Sequence, residues 1–246
     1  MKSLVVNCKG LKELRLKEIG MMGDGFVDFL KQLTGGLKYL DLSYPGASLS
    51  GAALIDLMEA VGPTLNHLDL SKHDLITDSF LQEGIKPHAR GLTSLVLSSV
   101  PDLTDEGVAE FFNTWKEAPG AAKANPSLTS LDLSRNHQLS TNALNAVLAH
   151  SGSALHSLNI NGWKETGEDA LNDIATFAKA LRSLDVGWCR GMNDFAVKAL
   201  MEECQRITEI KAWGCNRLTA NCPRKVRLTS AWFVTPSCSS HGPEGR

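Results

Sequence analysis

A pattern of three apolar positions, apolar-x-x-apolar-x-apolar, recurs along the amino-acid sequence. Copies begin at Leu11, Leu37, Leu65, Leu92, Leu128, Leu155, Leu181 and Ile207. They are 26, 28, 27, 36, 27, 26 and 26 residues apart, so one interval is longer than the others. The last two apolar positions alternate with other residues, which predicts a short strand with one buried face. A period of this length indicates a stack of repeated units.

The second half of each unit predicts an amphipathic helix. Its apolar residues fall at i, i+3 and i+4, as in Val108, Phe111 and Phe112. Residues that commonly cap helix starts stand ahead of these stripes, namely Thr77, Thr104, Ser140 and Asn193. Small residues precede several strand patterns, as at Gly62 and Gly152, and predict a tight joint between helix and strand.

These units predict an α/β leucine-rich-repeat solenoid, a horseshoe similar to ribonuclease inhibitor, with about eight repeats over residues 1–222. One unit cannot bury its apolar face alone, whereas stacking buries a continuous core. The parallel strands should line the concave face and the helices the convex face. Eight strands at ~4.8 Å spacing make a concave face about 38 Å long. We expect the solenoid to start in the middle of a repeat, because residues 1–8 match only the end of one.

Two segments depart from the period. The long interval contains a stretch from Trp115 to Pro126 that is rich in Pro and Ala and is predicted to be a surface loop. Both a partner-specific insertion and a merely tolerated loop remain open for it. The pattern fades after Thr219, so residues 223–246 are predicted to be an irregular and mostly disordered tail.

The residues that alternate with the apolar strand positions should point out of the concave face. The candidate protein-binding residues on it are Tyr39, Asp41, His67, Asp69, Asp132, Asn159, Asp185, Lys211 and Trp213. Four of them are Asp at the same place in the repeat, so the face should be mildly acidic with basic residues only at its ends. Such a face suits a basic protein segment better than a DNA backbone. The alternative is that Asp and Ser are repeat-consensus residues that form a solvated ladder.

Composition narrows the function further. Hydrophobic residues make up 43% and charged residues 21% of the chain, and the net charge is −2. A protein that binds nucleic acid mainly through phosphates usually carries a basic excess, which this chain lacks. No apolar run approaches the roughly 18–20 residues of a membrane span, and residues 1–10 do not resemble a secretion signal. We therefore expect an intracellular protein without a membrane segment.

Motifs for catalysis or for cofactor binding are absent from the sequence. No phosphate-binding loop, H-E-x-x-H or G-x-S-x-G motif occurs, so no catalytic residue, cofactor or metal is predicted. Cys215, Cys222, Cys238 and His241 lack the paired spacing of zinc ligands and are expected to be buried or free thiols and a tail histidine. The other histidines that we considered are predicted to be surface or turn residues. They are His67, His73, His88, His137, His150 and His156.

Two segments carry a resemblance to a known class. Val186-Gly-Trp-Cys189 and Ala212-Trp-Gly-Cys215 place a Cys soon after the strand. This arrangement resembles the cysteine-containing leucine-rich repeats that are typical of F-box proteins of ubiquitin ligases. The two Cys residues are expected to stack in the turn as small apolar residues.

A narrower resemblance rests on Leu37-Lys-Tyr-Leu-Asp-Leu-Ser43, Leu128-Thr-Ser-Leu-Asp-Leu-Ser134 and the closing Trp213-Gly-Cys-Asn-Arg-Leu218. These segments are similar to the C-terminal half of a fungal nucleotide-excision-repair family, the leucine-rich-repeat subunit of the global-genome damage-recognition complex. The resemblance implies a nuclear, non-enzymatic scaffold that partners a SWI/SNF-type ATPase and elongin and cullin subunits of a ubiquitin ligase. DNA contact would be indirect or made through the complex.

Two other hypotheses remain. The chain could be an F-box-type substrate receptor of an SCF ubiquitin ligase with an unrelated target. A hydrolase is the third hypothesis, although the sequence offers no constellation of catalytic residues for it.

Overall fold

Nine short strands pair in chain order to form one parallel sheet. The computed structural model describes residues 10–18, 23–31, 36–44, 50–115, 127–223 and 227–229. The strands are β1 Glu13–Arg15, β2 Tyr39–Asp41, β3 His67–Asp69, β4 Ser94–Val96, β5 Ser130–Asp132, β6 Ser157–Asn159, β7 Ser183–Asp185, β8 Glu209–Lys211 and β9 Arg227–Thr229. The eight predicted strands are confirmed, and they make the fold an α/β leucine-rich-repeat solenoid.

β9 departs from the expectation for the tail. It pairs with β8 in register, Ile210 opposite Leu228, although no repeat pattern had indicated a strand there. Arg227–Thr229 thus forms a strand inside the segment that was predicted to be mostly irregular, and main-chain pairing with β8 accounts for it, while the prediction for the tail as a whole stays a prediction. The other residues of the tail after 223, and the partial repeat at residues 1–8, lie outside the described residues.

The helices connect successive strands and pack beside one another. They are α1 Asp24–Lys31, α2 Gly51–Val61, α3 Asp78–Phe80, α4 Lys86–His88, α5 Asp105–Trp115, α6 Thr141–Ser151, α7 Glu168–Phe177 and α8 Asp194–Glu203. A π-helical segment, Leu81–Ile85, joins α3 to α4, and short 3₁₀ turns follow α2 and α6. The joints after α2 and α6 are tight, as expected. A β-carbon on Gly62 would lie 3.2 Å from the His88 carbonyl, and one on Gly152 would lie 3.0 Å from the Phe177 oxygen.

The core runs without a break along the stack. The middle residue of each strand faces inward, and the register places Leu68 beside Leu40 and Leu95, with all three fully buried. Each such Leu contributes about 2 kcal/mol through burial. Because every repeat is covered by its two neighbours, stability is shared between adjacent units. None of the described helices is long and apolar enough to cross a membrane.

Each of the strands β1 to β8 is followed by a residue with left-handed backbone, two positions after the last apolar residue of the repeat pattern. These residues are Glu18, Tyr44, Lys72, Ser99, Arg135, Gly162, Trp188 and Gly214. The N–H groups of the first seven donate to a carbonyl of the next repeat, as Lys72 does to Ser98 at 2.9 Å and Arg135 does to Asn161 at 2.7 Å. The repeated hydrogen bond fixes the turn, so side chains at this position line up along one rim of the sheet.

The next position of the turn is buried, and in four repeats its side chain donates a hydrogen bond to the repeat before it. Asn136 donates to the Leu97 carbonyl at 2.8 Å, and the Trp163 indole donates to the Leu133 carbonyl at 2.9 Å. Cys189 and Cys215 donate through sulfur to the carbonyls of Ile160 and Val186. The two Cys are fully buried in the turn, as the sequence predicted. We call this set the turn column, and His73 also belongs to it by position.

Aspartates join the helix starts of neighbouring repeats. A carboxylate accepts hydrogen bonds from the N–H and the hydroxyl of a Ser or Thr one repeat later. The pairs are Asp24 with Ser50, Asp78 with Thr104, Asp105 with Ser140 and Asp194 with Thr219. The predicted caps Thr77, Thr104 and Asn193 are confirmed.

The predicted cap at Ser140 is wrong. Its hydroxyl donates to Asp105 instead of accepting from its own helix. Asp105 itself accepts from the N–H groups of Asn142 and Ala143 at the start of α6. The cap of α6 is therefore supplied by the preceding repeat, which sequence spacing alone does not reveal.

The long interval between repeats is anchored on the C-terminal end of α6. Trp115 had been assigned to a loop, but it is the last residue of α5 and is buried against the His150 ring. On the other side, the N–H of Leu128 donates to the Ser151 hydroxyl at 2.9 Å. Ser127 donates to the His150 carbonyl. Both sides of the interval thus contact the same helix end, while residues 116–126 lie outside the described residues.

Candidate functional site

The concave face consists of two columns of side chains on the outward positions of the strands. Strand register aligns the first column, in which Ser94, Ser130, Ser157 and Ser183 lie side by side. Tyr39 and His67 precede them in the same column, on β2 and β3. The second column contains Asp41, Asp69, Val96, Asp132, Asn159, Asp185 and Lys211. The predicted candidates therefore lie on one surface, and Trp213 follows β8 at its C-terminal end.

The aspartates of the second column are held by hydrogen bonds within their own turns. One oxygen of Asp69 accepts from the N–H and the hydroxyl of Ser71, at 2.8 and 2.6 Å. Asp132 makes the same pair of bonds to Ser134, at 2.9 and 2.6 Å. Asp185 accepts from the N–H of Gly187 at 3.0 Å. These contacts fix the carboxylates in place, so part of their role is structural.

Amide side chains extend this ladder between repeats. Asn159 donates to the second oxygen of Asp132 at 2.8 Å. Asn161 donates to Asp185 at 3.0 Å. Asp41 accepts from the N–H of Ser43 and is buried, with 9% of its surface exposed. The second column is thus a row of carboxylates and amides, some of which are hydrogen-bonded between repeats. Asp69, Asp132 and Asp185 in it remain only partly buried.

The charges on this face are unevenly distributed. The strands from β2 to β7 carry four Asp and no Lys or Arg, whereas cations stand on β1 and β8, at Arg15 and Lys211. The Lys211 Nζ lies 3.6 Å from the Glu209 Oε2, so the charge of this cation is partly neutralised. Burial raises the pKa of Asp69, hydrogen bonds from Ser71 oppose that shift, and the charge of Asp41 adds to it. Because no Lys or Arg stands beside them on β2 to β7, these carboxylates attract a cationic ligand.

One end of the face carries a stack of rings. Tyr39 and His67 lie parallel, with 4.0 Å between ring centroids and 6° between planes. The Arg15 guanidinium lies 4.8 Å from the centre of the Tyr39 ring. The His67 Nδ1 is 2.8 Å from the Ser94 hydroxyl, and burial lowers the pKa of His67. The stacked rings therefore project beside the small side chains of the first-column serines, Ser94, Ser130, Ser157 and Ser183.

The other end carries two exposed indoles. Trp213, one of the predicted residues, is 49% exposed, and Trp188 is 56% exposed. Trp188 lies at the left-handed position of its turn, and its ring covers Gly214 of the next repeat. The sequence placed Trp188 in the turn but did not single it out as a binding residue. The exposure of Trp188 follows from its left-handed backbone, which the residue pattern does not reveal because most of the left-handed residues are not glycine.

The described residues contain no group of three or more His, Cys, Asp and Glu that could hold a metal ion. Cys215 and Cys222 are buried, as expected, whereas Cys238 and His241 lie outside the described residues. His73 lies in a turn, as predicted, although it is buried, whereas the prediction of a surface or turn residue is wrong for His150, which lies in α6. His73 and His150 are 1% and 3% exposed, because the turn column buries the first and the Trp115 stack covers the second.

Comparisons with known proteins agree with this architecture. A family model described as Leucine Rich repeat matches residues 63–79 and 124–146. The chain is 31% identical over 217 residues to the DNA repair protein rhp7 of Schizosaccharomyces pombe, a match that covers 88% of the chain and 37% of rhp7. It is 27% identical over 180 residues to the DNA repair protein RAD7 of Saccharomyces cerevisiae, covering 72% of the chain and 30% of RAD7. The chain thus spans about a third of the length of these relatives.

Solved structures show the same fold. The chain aligns with the crystal structure of the yeast Rad7 and Elc1 complex at a TM-score of 0.75 and 22% identity, covering 94% of the chain and 56% of that chain. It aligns with the leucine-rich-repeat-containing protein LegL7 from Legionella pneumophila at a TM-score of 0.52 and 16% identity, covering 81% of the chain and 64% of LegL7.

Proposed function

Since this chain is a leucine-rich-repeat protein homologous to the DNA repair proteins rhp7 and RAD7, we propose that it is a protein-binding scaffold in nucleotide-excision repair. It acts in the nucleus, within a damage-recognition and ubiquitin-ligase complex, and has no catalytic activity of its own. The observation that carries the proposal is the 31% identity to rhp7 over 88% of the chain.

The concave face is the proposed binding surface. Its residues are Tyr39, Asp41, His67, Asp69, Asp132, Asn159, Asp185, Lys211 and Trp213. Internal hydrogen bonds hold Asp69, Asp132 and Asp185 in position before any partner arrives, and such preorganisation lowers the entropic cost of binding. The carboxylates suit a cationic segment of a partner. The small side chains of the first-column serines let the main chain of that segment approach the sheet closely.

The partners follow from the relatives. The yeast structure pairs Rad7 with Elc1, which supports an elongin-type subunit as a partner of the whole protein that contains this chain. A SWI/SNF-type ATPase and a cullin complete the proposed assembly. DNA is contacted through the complex, because the concave face between β2 and β7 is acidic and would repel phosphates.

A second candidate is an F-box-type substrate receptor with an unrelated target. It is favoured by the buried Cys189 and Cys215 of the turn column, the arrangement that is typical of that class of repeats. Binding of a Skp-type adaptor instead of an elongin-type subunit would select this candidate over the repair scaffold.

The experiment tests the repair scaffold in cells that are damaged by ultraviolet light. The whole protein is purified from nuclei, with and without the substitutions Asp69→Asn, Asp132→Asn and Asp185→Asn. Asn keeps an oxygen that accepts the turn hydrogen bond and removes the charge. We expect the triple variant to recover about tenfold less of the ATPase, since three charge contacts at about 0.5 kcal/mol each are lost.

A matched control removes three acids from exposed positions outside the concave face, through Asp102→Asn, Glu106→Gln and Asp169→Asn. This control should recover the ATPase like the unmodified protein. Repeated failure to recover the ATPase with the unmodified protein would refute the repair scaffold. Equal losses in both triple variants would refute the concave face as its binding surface.

A further inference from the structure

A groove runs along the rim of the sheet, beside the concave face. We call it the rim groove and define it by Tyr44, Lys72, Ser99, Arg135, His137 and Gln138. The first four are the left-handed residues of four successive repeats. Because neighbouring strands lie ~4.8 Å apart, the main chains of Lys72 and Arg135, two repeats apart, are separated by about 10 Å.

The rim groove has a positive balance. Lys72 and Arg135 are exposed, and neither forms an ion pair with any residue that the structure describes. The Lys72 Nζ lies 4.5 Å from the centre of the Tyr44 ring, a cation–π contact that steadies the ammonium group without neutralising it. Asp74 also lines the groove and is the acid among its described lining residues. Two exposed cations, one of them held against an aromatic ring, therefore share the groove with one carboxylate among its described lining residues.

Folding does not explain why Lys and Arg occupy these positions. Lys72 and Arg135 have φ values of 57° and 62°, which cost a residue with a β-carbon about 1–2 kcal/mol. Gly162 and Gly214 occupy the same place in other repeats at φ values of 93° and 72°, where glycine is not strained. The turn thus forms with glycine, and the charged side chains add nothing that the main chain requires.

We propose that the rim groove binds an acidic segment of a protein partner, with one carboxylate on Lys72 and a second on Arg135. A segment in the polyproline II conformation rises ~3.1 Å per residue with three residues per turn, so carboxylates three residues apart lie on the same side of it, about 9 Å apart, close to the spacing of the two cations. Gln138, whose amide nitrogen donates to the Pro101 carbonyl at 3.0 Å, has a second N–H that can donate to the segment at the end of the groove. The inference rests on the proposed protein-binding function and adds a second surface with its own ligand chemistry.

The charge pattern around the groove favours a peptide over a nucleic acid. A nucleic-acid strand carries a phosphate at every nucleotide, and phosphates beside the groove would face Asp69 and Asp132 on the concave face. A protein segment can follow its acidic residues with basic ones. Such a segment satisfies Lys72 and Arg135 on the rim and the carboxylates of the adjoining face.

The test uses glycine substitutions, which remove the side chains without straining the turn. The variant is Lys72→Gly with Arg135→Gly, and its matched control is Glu18→Gly, an exposed left-handed residue at the same place in another repeat and outside the described lining of the rim groove. Unfolding by urea should show that both variants fold, within about 1 kcal/mol of the unmodified chain. Binding differences then report the two cations and not the fold.

A random peptide library displayed on phage is selected on the unmodified full chain. We expect the selected peptides to be enriched in Asp and Glu. As synthetic peptides, they should bind the double variant at least about tenfold more weakly and bind Glu18→Gly normally, as measured by fluorescence anisotropy. Selected peptides without acidic enrichment, or equal binding to the double variant, would overturn the proposal.

A mixed-sequence DNA duplex is measured in parallel. Duplex binding that depends on Lys72 and Arg135 and exceeds peptide binding would also overturn the acidic-segment proposal. The two proposals fail separately. Loss of peptide binding in the double variant together with normal ATPase recovery by the Asp69, Asp132 and Asp185 variant removes only the concave-face proposal. The reverse pair of results removes only the rim groove.

Discussion

The carboxylate of Asp105 accepts both the N–H and the hydroxyl of Ser140, at 2.7 and 2.9 Å, from a residue one repeat later. It also accepts the N–H groups of Asn142 and Ala143, and it is 7% exposed. A single buried side chain thus satisfies three main-chain donors at the start of α6. Hydrogen bonds to a charged acceptor are stronger than neutral ones, which makes this contact a major link between two repeats.

Substitution of Asp105 should therefore destabilise the stack. Asp105→Ala leaves three N–H groups without an acceptor, and we expect a loss of about 3 kcal/mol in the free energy of unfolding. Urea denaturation monitored by circular dichroism measures it. Glu106→Ala, which removes the exposed acid next to it, should change stability by less than about 0.5 kcal/mol. Similar values for the two variants would contradict the assigned role.

His73 should make stability depend on pH. Its ring is buried, and burial lowers its pKa from the ordinary 6.5 to about 4. The folded state therefore requires neutral His73, while the unfolded state takes up a proton below 6.5. The stabilising contribution is complete above about pH 6.5 and falls as the pH approaches 4. The loss of stability relative to neutral pH amounts to about 2 kcal/mol at about pH 5.

The measurement compares His73→Asn with the unmodified chain across this pH range. Asn is a suitable replacement because Asn136 occupies the same position two repeats later. Between about pH 7.5 and pH 5, the unmodified chain should lose about 2 kcal/mol more stability than the variant. His137→Asn, at an exposed position, should retain the acid sensitivity. Parallel pH curves for all three proteins would be inconsistent with a titrating His73.

Two left-handed glycines should respond differently to alanine. A β-carbon on Gly162 would lie 3.4 Å from the Arg135 Cα, so Gly162→Ala should cost only the conformational penalty of about 1 kcal/mol. On Gly214 it would lie 2.5 Å from two carbons of the Trp188 ring. Gly214→Ala should therefore displace that indole and shift the tryptophan emission as well as stability. An unchanged spectrum in Gly214→Ala would contradict the ring's position over the glycine.

The buried thiols should be unreactive in the folded protein. Burial raises the pKa of Cys204 and of Cys215 to about 11, and it raises the pKa of Cys189 as well. Since the thiolate is the reactive form, alkylation at neutral pH should leave these three residues unmodified until denaturant is added. Peptide mass spectrometry reports each site, and the denatured sample is the control. Rapid labelling of Cys215 in the native chain would show that the turn column opens.

The repeat pattern located the strands well, because strand period and burial are local properties of the sequence. The outward residues of β2, Tyr39 and Asp41, follow directly from the positions of Leu37, Leu40 and Leu42. The same logic brought the candidate residues of the concave face onto one surface. Alternation within a strand fixes which side of the sheet a residue occupies.

Contacts between repeats could not be predicted in this way. Asp105 caps α6 of the following repeat, and His73 is buried against neighbouring turns. Both contacts depend on how one turn lies against the next. β9 lacks the apolar pattern and is defined by main-chain pairing with β8. The residue pattern also did not predict the eight left-handed residues that follow β1 to β8. Six of them are not glycine, and their shared φ arises from hydrogen bonds to the following repeat.

The contacts of α6 with Trp115 and with Leu128 have a practical consequence for engineering. They hold Trp115 and Leu128, the described residues near either side of 116–126, on one helix terminus, so the stack is joined by contacts on both sides of that interval. Each doubling of a flexible loop costs only about 0.6 kcal/mol. A reporter domain or an epitope could therefore be inserted in this interval, giving a labelled scaffold whose concave face and rim groove stay available to partners.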